Sequence, residues 1–170
     1  MTNAVTPIKF TFRDDGIVPN SKLPLIVYRQ AFSKLGDNAA EWLEETFASH
    51  DWTNTWRWGV YPFHHYHSNT HEVLGVFRGS ALLKMGGEQG QELEVSAGDI
   101  LVIPAGVGHK CLSHAPDFTV VGAYPGGMDP DLMKGLEGER PGADKRIAAV
   151  SPPDFDPVYG ADGAIVREWR

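Results

Sequence analysis

Histidine and glutamate side chains recur in two short clusters of this chain that are punctuated by glycine. The first cluster has the pattern G-x5-H-x-H-x4-E-x6-G, and the second has the pattern G-x5-P-x-G-x2-H. Imidazole nitrogen and carboxylate oxygen bind borderline divalent ions such as iron, manganese, cobalt, nickel and zinc without help from thiolate. The clusters therefore predict a metal site. Its candidate donors are His65, His67, Glu72 and His109.

The spacing of these donors suits a β-structure. Side chains alternate between the two faces of a strand, so His65 and His67 project to the same side. A turn over residues 68–70 allows Glu72 to begin a neighbouring strand, and a turn at residues 104–106 delivers His109. We expect His64 and His71 at the surface or behind the donors. Positive φ or close strand approach is expected at Gly59, Gly79, Gly98 and Gly106.

Alternating apolar and polar residues predict a chain made mainly of short strands. Two strands are expected at 8–12 and within 23–32, and one short helix is expected over 38–48. Residues 126–144 show no useful periodicity and are expected to form a lid, an arm on a neighbouring subunit or a mobile segment. An all-β sandwich or barrel follows. The other strands are predicted at 56–67, 72–78, 80–85, 91–95, 99–103, 109–113, 117–124 and 164–169.

The composition indicates one core and argues against a nucleic-acid partner. The chain has 170 residues, of which 42% are hydrophobic. Its formal net charge is −7, and 15 basic against 22 acidic residues supply no evident basic face. The single cysteine, Cys111, is expected to be a small buried residue. Residues 1–7 lack the features of a signal peptide, and no apolar run reaches the ~18 residues of a membrane helix. We therefore expect a cytoplasmic protein without a membrane partner.

The two clusters closely resemble the two signature motifs of the cupin superfamily. The match covers nine positions and departs at Ser113, where the family usually has asparagine. Residues 63–75 and 103–110 resemble a narrower group of single-domain bacterial cupins, often labelled YjlB-like. The similarity to this group extends over most of the chain. The resemblance implies a jelly-roll-like double-stranded β-helix barrel with one short N-terminal helix. It implies a single domain over residues 1–170, with its motif core at about 56–124 and terminal strands that extend the sheets. The matched positions are Gly59, His65, His67, Glu72, Gly79, Gly98, Pro104, Gly106 and His109.

By the same resemblance, His65, His67, Glu72 and His109 carry over as ligands of one divalent transition metal, with two positions left open. An open site favours a metal-dependent enzyme that acts on a small organic substrate, as a dioxygenase before an isomerase or decarboxylase. The alternative is a non-catalytic binding or sensor protein whose metal is structural or only holds a ligand. The catalytic residues are not identified by the sequence.

Other side chains bear on the substrate and on assembly. Basic residues at Arg57, Arg78 and Lys110 either recognise an anion or are solvated. Strands at both ends of the chain are suited to extend a neighbour's sheet, which predicts a homodimer. Six aromatic residues either line a pocket for an apolar or aromatic substrate or fill the core. They are Trp56, Trp58, Tyr61, Phe63, Phe118 and Tyr124.

Overall fold

A computed structural model describes residues 4–34 and 36–170 of the chain. The first three residues of the N-terminal stretch considered above lie outside this part. Across the described residues, the helices are α1 (Gly36–Ser49), α2 (Gly142–Ala149) and α3 (Ala164–Glu168). The strands are β1 (Ile8–Phe10), β2 (Leu25–Tyr28), β3 (Trp52–Trp58), β4 (Glu72–Arg78), β5 (Ser80–Met85), β6 (Gln91–Ser96), β7 (Ile100–Ile103), β8 (His109–His114) and β9 (Thr119–Pro125).

The strands form two antiparallel sheets, as the resemblance to a β-barrel family implies. One sheet has six strands in the order β1-β2-β7-β4-β9-β3, and the other has three strands in the order β6-β5-β8. Strands β2 and β7 are buried at every residue. Their unbroken apolar sequences fit this environment, because both faces of the larger sheet are covered.

Alternation along the strands divides the core in two. Side chains such as Leu74 and Leu101 turn inward and pack between the two sheets. Their neighbours Val73 and Val102 turn outward and pack against α1, α3 and the residues around them. On the outer face Leu43 of α1 approaches the sheet closely, since a Cβ added at Gly75 would lie 2.7 Å from its Cδ2 atom. The inner face carries the candidate metal ligands.

Several expected elements differ in the structure. The expected strand at 56–67 is wrong in extent, because β3 ends at Trp58 and the following residues make only isolated bridges. The helix expected over 38–48 is confirmed as α1, and α2 and α3 are additional helices. The strand expected at 164–169 is wrong, since this segment is the helix α3. The larger sheet is therefore extended by β1 at one edge and by no strand from the C-terminal segment.

Residues 126–141, which we call the cover segment, join β9 to α2 and lie against their own chain. Met133 forms a bridge with Tyr66 through two backbone hydrogen bonds of 2.9 Å. The Tyr66 hydroxyl donates to Glu139 at 2.8 Å, and Glu139 accepts two backbone N–H groups from residues 134 and 135. Of the three roles considered for this segment, its position favours the lid, held by contacts within the same subunit.

No helix in the described ranges combines the length and the apolar character that crossing a bilayer requires.

Candidate metal centre

The three histidines and the glutamate lie together at one end of the barrel interior. Glu72 is the first residue of β4, and the alternation of that strand turns it inward with Leu74. His109 is the first residue of β8, and it forms a bridge with His65 through backbone hydrogen bonds of 3.2 and 2.9 Å. His67 lies two residues after His65 and lines the same cavity as His65, Glu72 and His109. Residues from three separate parts of the fold therefore meet at one point.

The donor atoms are spaced as ligands of a single ion would be. One nitrogen from each of the three histidines lies within 4.8 Å of the other two. Glu72 is outside that mutually close set, but its Oε2 lies 3.4 Å from Nε2 of His67 and its Oε1 lies 3.2 Å from Nε2 of His109. Two ligands at right angles, each about 2.1 Å from an ion, are about 3 Å apart. The observed separations suit a shared cation.

The Nδ1 atom of each histidine faces a backbone carbonyl. Because a carbonyl oxygen can only accept, each Nδ1 carries the proton and donates it. In its neutral form each ring then presents an unprotonated Nε2, which is the form that binds a metal. The three pairs are His65 with Phe63 at 3.0 Å, His67 with Asp131 at 2.5 Å, and His109 with Val107 at 3.1 Å.

The centre contains a buried negative charge. Burial opposes ionisation of Glu72, but His67 and His109 outweigh it and hold the pKa of the carboxyl well below its usual range. Burial also opposes a charge on His67, yet Glu72 raises the pKa of this imidazole to about 8. At His65, burial and then the neighbouring His109 lower the pKa far below its usual value. The carboxylate therefore needs a positive partner, which is either a protonated His67 or a metal ion.

One buried atom favours the ion as the partner. Nε2 of His109 makes no hydrogen bond, and its 3.2 Å contact with Glu72 does not have hydrogen-bond geometry. A buried polar atom without a partner is costly. A cation bound by this nitrogen, the other two Nε2 atoms and the carboxylate would satisfy all four groups. Three buried histidines could thus hold a metal, and the donor set fits a divalent transition metal.

A cavity of about 290 Å³ opens onto these donors. Of the six aromatic residues considered in the sequence, Phe118 packs in the core between the sheets, and Phe63 stacks on Tyr61 with ring centroids 4.9 Å apart. The other four line the cavity, which favours the pocket interpretation for them. They are Trp56, Trp58, Tyr61 and Tyr124.

Trp56 and Tyr124 form a hydrogen-bonded pair beside the donors. Trp56 is the partner of Gly122 across β3 and β9, and a Cβ added at Gly122 would lie 2.2 Å from the indole. The indole lies over the glycine and donates from Nε1 to the Tyr124 hydroxyl at 2.8 Å. Burial, and after it Glu72, raises the pKa of Tyr124, so the hydroxyl keeps its proton. Since the hydroxyl accepts from Trp56, its own proton is left for an acceptor on the cavity side, and Glu72 is one such acceptor.

Asp131 of the cover segment holds His67 in place, and the sequence analysis did not find this residue. Besides the carbonyl that accepts from His67, its carboxylate accepts from the backbone N–H of Ser68 at 2.6 Å and from the Ser68 hydroxyl. Arg146 of α2 also donates to that hydroxyl at 2.7 Å. These contacts join residues more than 60 positions apart, and no local pattern reveals them. An aspartate in a Gly- and Pro-rich segment was the only available signal.

The two histidines next to the donors in sequence, His64 and His71, differ in how well their expected positions agree with the structure. His64 is half-buried outside the centre, with its Nε2 2.6 Å from Glu88, as its strand parity predicts. His71 is only 2% exposed and packs on Trp169, so the surface position considered for it is wrong. Cys111 is buried as expected.

The glycines of the motifs differ in what they require. Gly106 has a φ of +96°, and a Cβ there would lie 2.4 Å from the carbonyl oxygen of Asn20. Gly59 has no positive φ, and a Cβ there would meet no atom within 4 Å. The backbone requirement expected at Gly59 is therefore wrong.

Comparisons with known proteins place this site in a family. A model of the cupin domain matches residues 59–119. The uncharacterised protein YjlB of Bacillus subtilis (strain 168) is 45% identical over 161 residues, which cover 94% of each chain. The chain belongs to the cupin family. The four donor residues of this cupin lie within the matched range.

Solved structures resemble this cupin more distantly. A DUF861 family protein from Thermotoga maritima is 20% identical and covers 52% of this chain and 94% of its own, with a TM-score of 0.35. Acireductone dioxygenase from Bacillus anthracis, with a cadmium ion in its active centre, is 15% identical and covers 54% and 63%, with a TM-score of 0.38.

Proposed function

We propose that this cupin is a metal-dependent enzyme that acts on a small organic substrate. The observation that supports the proposal is the position of the cavity, which opens directly onto three histidines and a glutamate. Structural metal sites are closed by protein ligands, whereas catalytic sites keep a position open for substrate. An aromatic-lined cavity next to the donor atoms suits the second kind of site.

The proposed ligands are Nε2 of His65, His67 and His109 and the carboxylate of Glu72, and they would hold one ion of iron, manganese, nickel, cobalt or zinc. When bound, such an ion supplies a Lewis acid for a chelating substrate and, if it is redox-active, chemistry with dioxygen. The backbone carbonyls facing each Nδ1 atom orient the three rings. In this arrangement Tyr124 donates a hydrogen bond to a substrate oxygen, and the aromatic walls exclude water.

A dioxygenase-like reaction is preferred over isomerisation or decarboxylation because few protein acids and bases are free in the cavity. Isomerases and decarboxylases draw on such groups for proton transfer. Among the residues that line the cavity, Asp131 is the carboxylate not assigned to the metal, and it already accepts hydrogen bonds from Ser68. Metal chemistry with dioxygen can proceed without such a base, since the ion itself acidifies a chelating substrate.

The metal content of the untagged protein tests the proposal. We expect about one transition-metal ion per chain by elemental analysis. Glu72→Gln or His67→Ala should lower the affinity for the metal at least about tenfold, and the metal content with it, since a direct ligand is lost. His64→Ala is the matched control, because His64 has the opposite strand parity and should leave the metal content unchanged. Wild-type protein without stoichiometric metal, or full metal content in the ligand variants, would refute the proposed centre.

Turnover distinguishes the enzyme from a non-catalytic binding or sensor protein. The scarcity of free acid and base groups is also compatible with a metal that only holds a ligand. The metal-loaded protein should consume oxygen with at least one small organic substrate and form a product detectable by mass spectrometry. Tight binding of the same compounds without product, under both air and reducing conditions, would favour the binding protein.

A further inference from the structure

The charged residues of the cavity restrict the compounds that it can accept. Within the part of the chain that the structure describes, the lining contains the acidic residues Glu72 and Asp131 but no lysine or arginine. An anionic group of a substrate would lose its hydration in this cavity, and no cationic side chain of the lining would compensate for the loss. The rest of the wall is mainly apolar or aromatic. It includes Trp56, Trp58, Val60, Tyr61, Leu74 and Leu132.

Cationic side chains near the centre are engaged elsewhere. Arg57 lies on the outer face of the sheet and pairs with Glu44 at 2.7 Å. Arg146 donates to the Ser68 hydroxyl and pairs with the Asp131 carboxylate at 3.6 Å, so its charge is already matched by a wall residue. The ammonium group of Lys134 lies over the ring of Phe63, 5.2 Å from its centroid. None of these cations lines the cavity, so the wall offers no counter-ion to a carboxylate or phosphate.

The polar group best placed to read a substrate is a hydrogen-bond donor. The Tyr124 hydroxyl accepts from the Trp56 indole at 2.8 Å, which leaves its own proton for Glu72 or, where a metal engages that carboxylate, for a ligand. A neutral oxygen, such as that of a hydroxyl or ketone group, would accept a hydrogen bond from this hydroxyl. The cavity volume of about 290 Å³ lies at the lower limit for small-molecule sites and suits a single ring with short substituents.

From the cavity wall, the Tyr124 hydroxyl and the cavity volume, we infer that the site binds a neutral, oxygen-bearing compound the size of a single substituted ring. The site discriminates against substrates that carry an anionic group away from the metal. This inference rests on the proposed function only in placing the substrate oxygens at the metal end. The selection itself comes from the wall residues.

Two catechols that differ at one substituent test the inference. 4-Methylcatechol and 3,4-dihydroxybenzoate share the same chelating end, and only the latter carries a carboxylate that faces the wall. Isothermal titration calorimetry on zinc-loaded protein, which avoids redox chemistry, should show at least about tenfold tighter binding of the methyl compound. Equal affinities, tighter binding of the acid, or no binding of either compound to the zinc-loaded protein would overturn the inference.

A charge placed in the wall should change this preference. Leu132 lines the cavity and is 37% exposed, so Leu132→Lys adds a cation without burying it completely. We expect this variant to reduce the ratio of the two affinities at least about fivefold, since the added ammonium pairs with the carboxylate. Leu132→Met is the matched neutral control and should keep the wild-type ratio. An unchanged ratio in Leu132→Lys contradicts the inference.

A second variant and a metal-free titration separate the remaining alternatives. Lys134→Met should change neither affinity, and a selective loss of the acid's affinity would show that Lys134 recognises anions, which contradicts the inference. If the protein binds no zinc, the proposed metal centre fails. The wall is present without the ion, so the same pair titrated against metal-free protein still tests the selection, and equal affinities there would refute it.

Discussion

Adjacent residues His71 and Glu72 show how strand alternation assigns different roles to neighbouring polar side chains. Glu72 turns into the barrel toward the candidate metal centre, whereas His71 turns outward and packs on Trp169 with ring centroids 4.6 Å apart. Nδ1 of His71 accepts from the backbone N–H of Ala105 at 2.9 Å, and Nε2 lies 3.2 Å from the carbonyl of Ser151. The neutral ring satisfies both contacts, because Nδ1 is free to accept while Nε2 donates.

Acid should therefore destabilise the protein through His71. Burial lowers the pKa of His71 from 6.5 to about 4. The unfolded chain takes up this proton below pH 6.5, and the folded protein does so only near pH 4, so the free energy of unfolding falls as pH is lowered across that window. The expected loss is on the order of 3 kcal/mol. It is measured by denaturant unfolding of metal-free protein at several pH values.

His71→Asn provides the comparison, because its amide does not titrate while its oxygen can replace Nδ1 as an acceptor. The other titrating groups, including His67, are common to both proteins. The difference between the two pH profiles thus isolates His71. Parallel profiles from pH 7 to pH 4 would show that His71 does not contribute to the acid sensitivity.

The candidate centre was predictable from sequence only where local geometry sets it. His65 and His67 share a side because two residues along an extended chain restore the direction of the side chain, although the regular strand ends before them. The Asp131 carbonyl that fixes the ring of His67 comes from 64 residues away. Its role depends on how the cover segment packs, which no local spacing encodes.

At the scale of elements, the pairing of β3 with β9 builds one wall of the cavity. The position opposite Trp56 is Gly122, whose missing side chain lets the indole lie on the sheet and reach the Tyr124 hydroxyl. A larger residue opposite Trp56 would move a rigid ring rather than a flexible chain end. This wall of the cavity therefore depends on the pairing of a tryptophan, Trp56, with a glycine, Gly122.

Gly122→Ala should cost about 1–3 kcal/mol of stability, because the added methyl overlaps the indole and the surrounding side chains are closely packed. It should also weaken the hydrogen bond to Tyr124, which is visible as altered tryptophan fluorescence. Gly59→Ala is the matched control, since a Cβ there meets no atom within 4 Å, and its effect should stay within about 0.5 kcal/mol. Equal effects of the two substitutions on unfolding would contradict this account of the wall.

The C-terminal helix illustrates where pattern reading fails for an element. Over six residues, the periods of strand and helix are hard to distinguish, and Ile165, Val166 and Trp169 favour a strand by type. Distant contacts decide the outcome. The Tyr28 hydroxyl accepts from the backbone N–H of Ala164 at 2.9 Å, and the Trp169 indole donates to the carbonyl of Pro24 at 2.8 Å. By contrast, α1 was predictable because its apolar face repeats over several turns.

At the scale of the whole molecule, the central strands of the six-stranded sheet are buried on both faces, and strands β1 and β3 form its edges. The two core clusters share this sheet, which is compatible with one domain, and the single domain remains a prediction. Edge strands present unpaired backbone groups that a second chain can use. Of these two, β1 comes from the N-terminal region that the sequence assigned to assembly.

We therefore expect a homodimer that pairs through β1, detectable by light scattering at micromolar concentration. Ile8 lies on this strand and is 42% exposed. Ile8→Lys should shift the protein toward monomer, because it adds a charge to the edge strand. Ile17→Lys is the control, since Ile17 is 60% exposed but lies outside the strands. A wild-type monomer, or a dimer unaffected by Ile8→Lys, would contradict the prediction.

The contact between His67 and the Asp131 carbonyl has a consequence for the order of biosynthesis. All the strands of the barrel precede the cover segment, because β9 ends at Pro125. A nascent chain whose last strand has just left the ribosome already exposes all four donors, but the Asp131 carbonyl that orients one imidazole is still inside the exit tunnel. Tight ion capture should thus begin only after residue 131 has emerged and folded back.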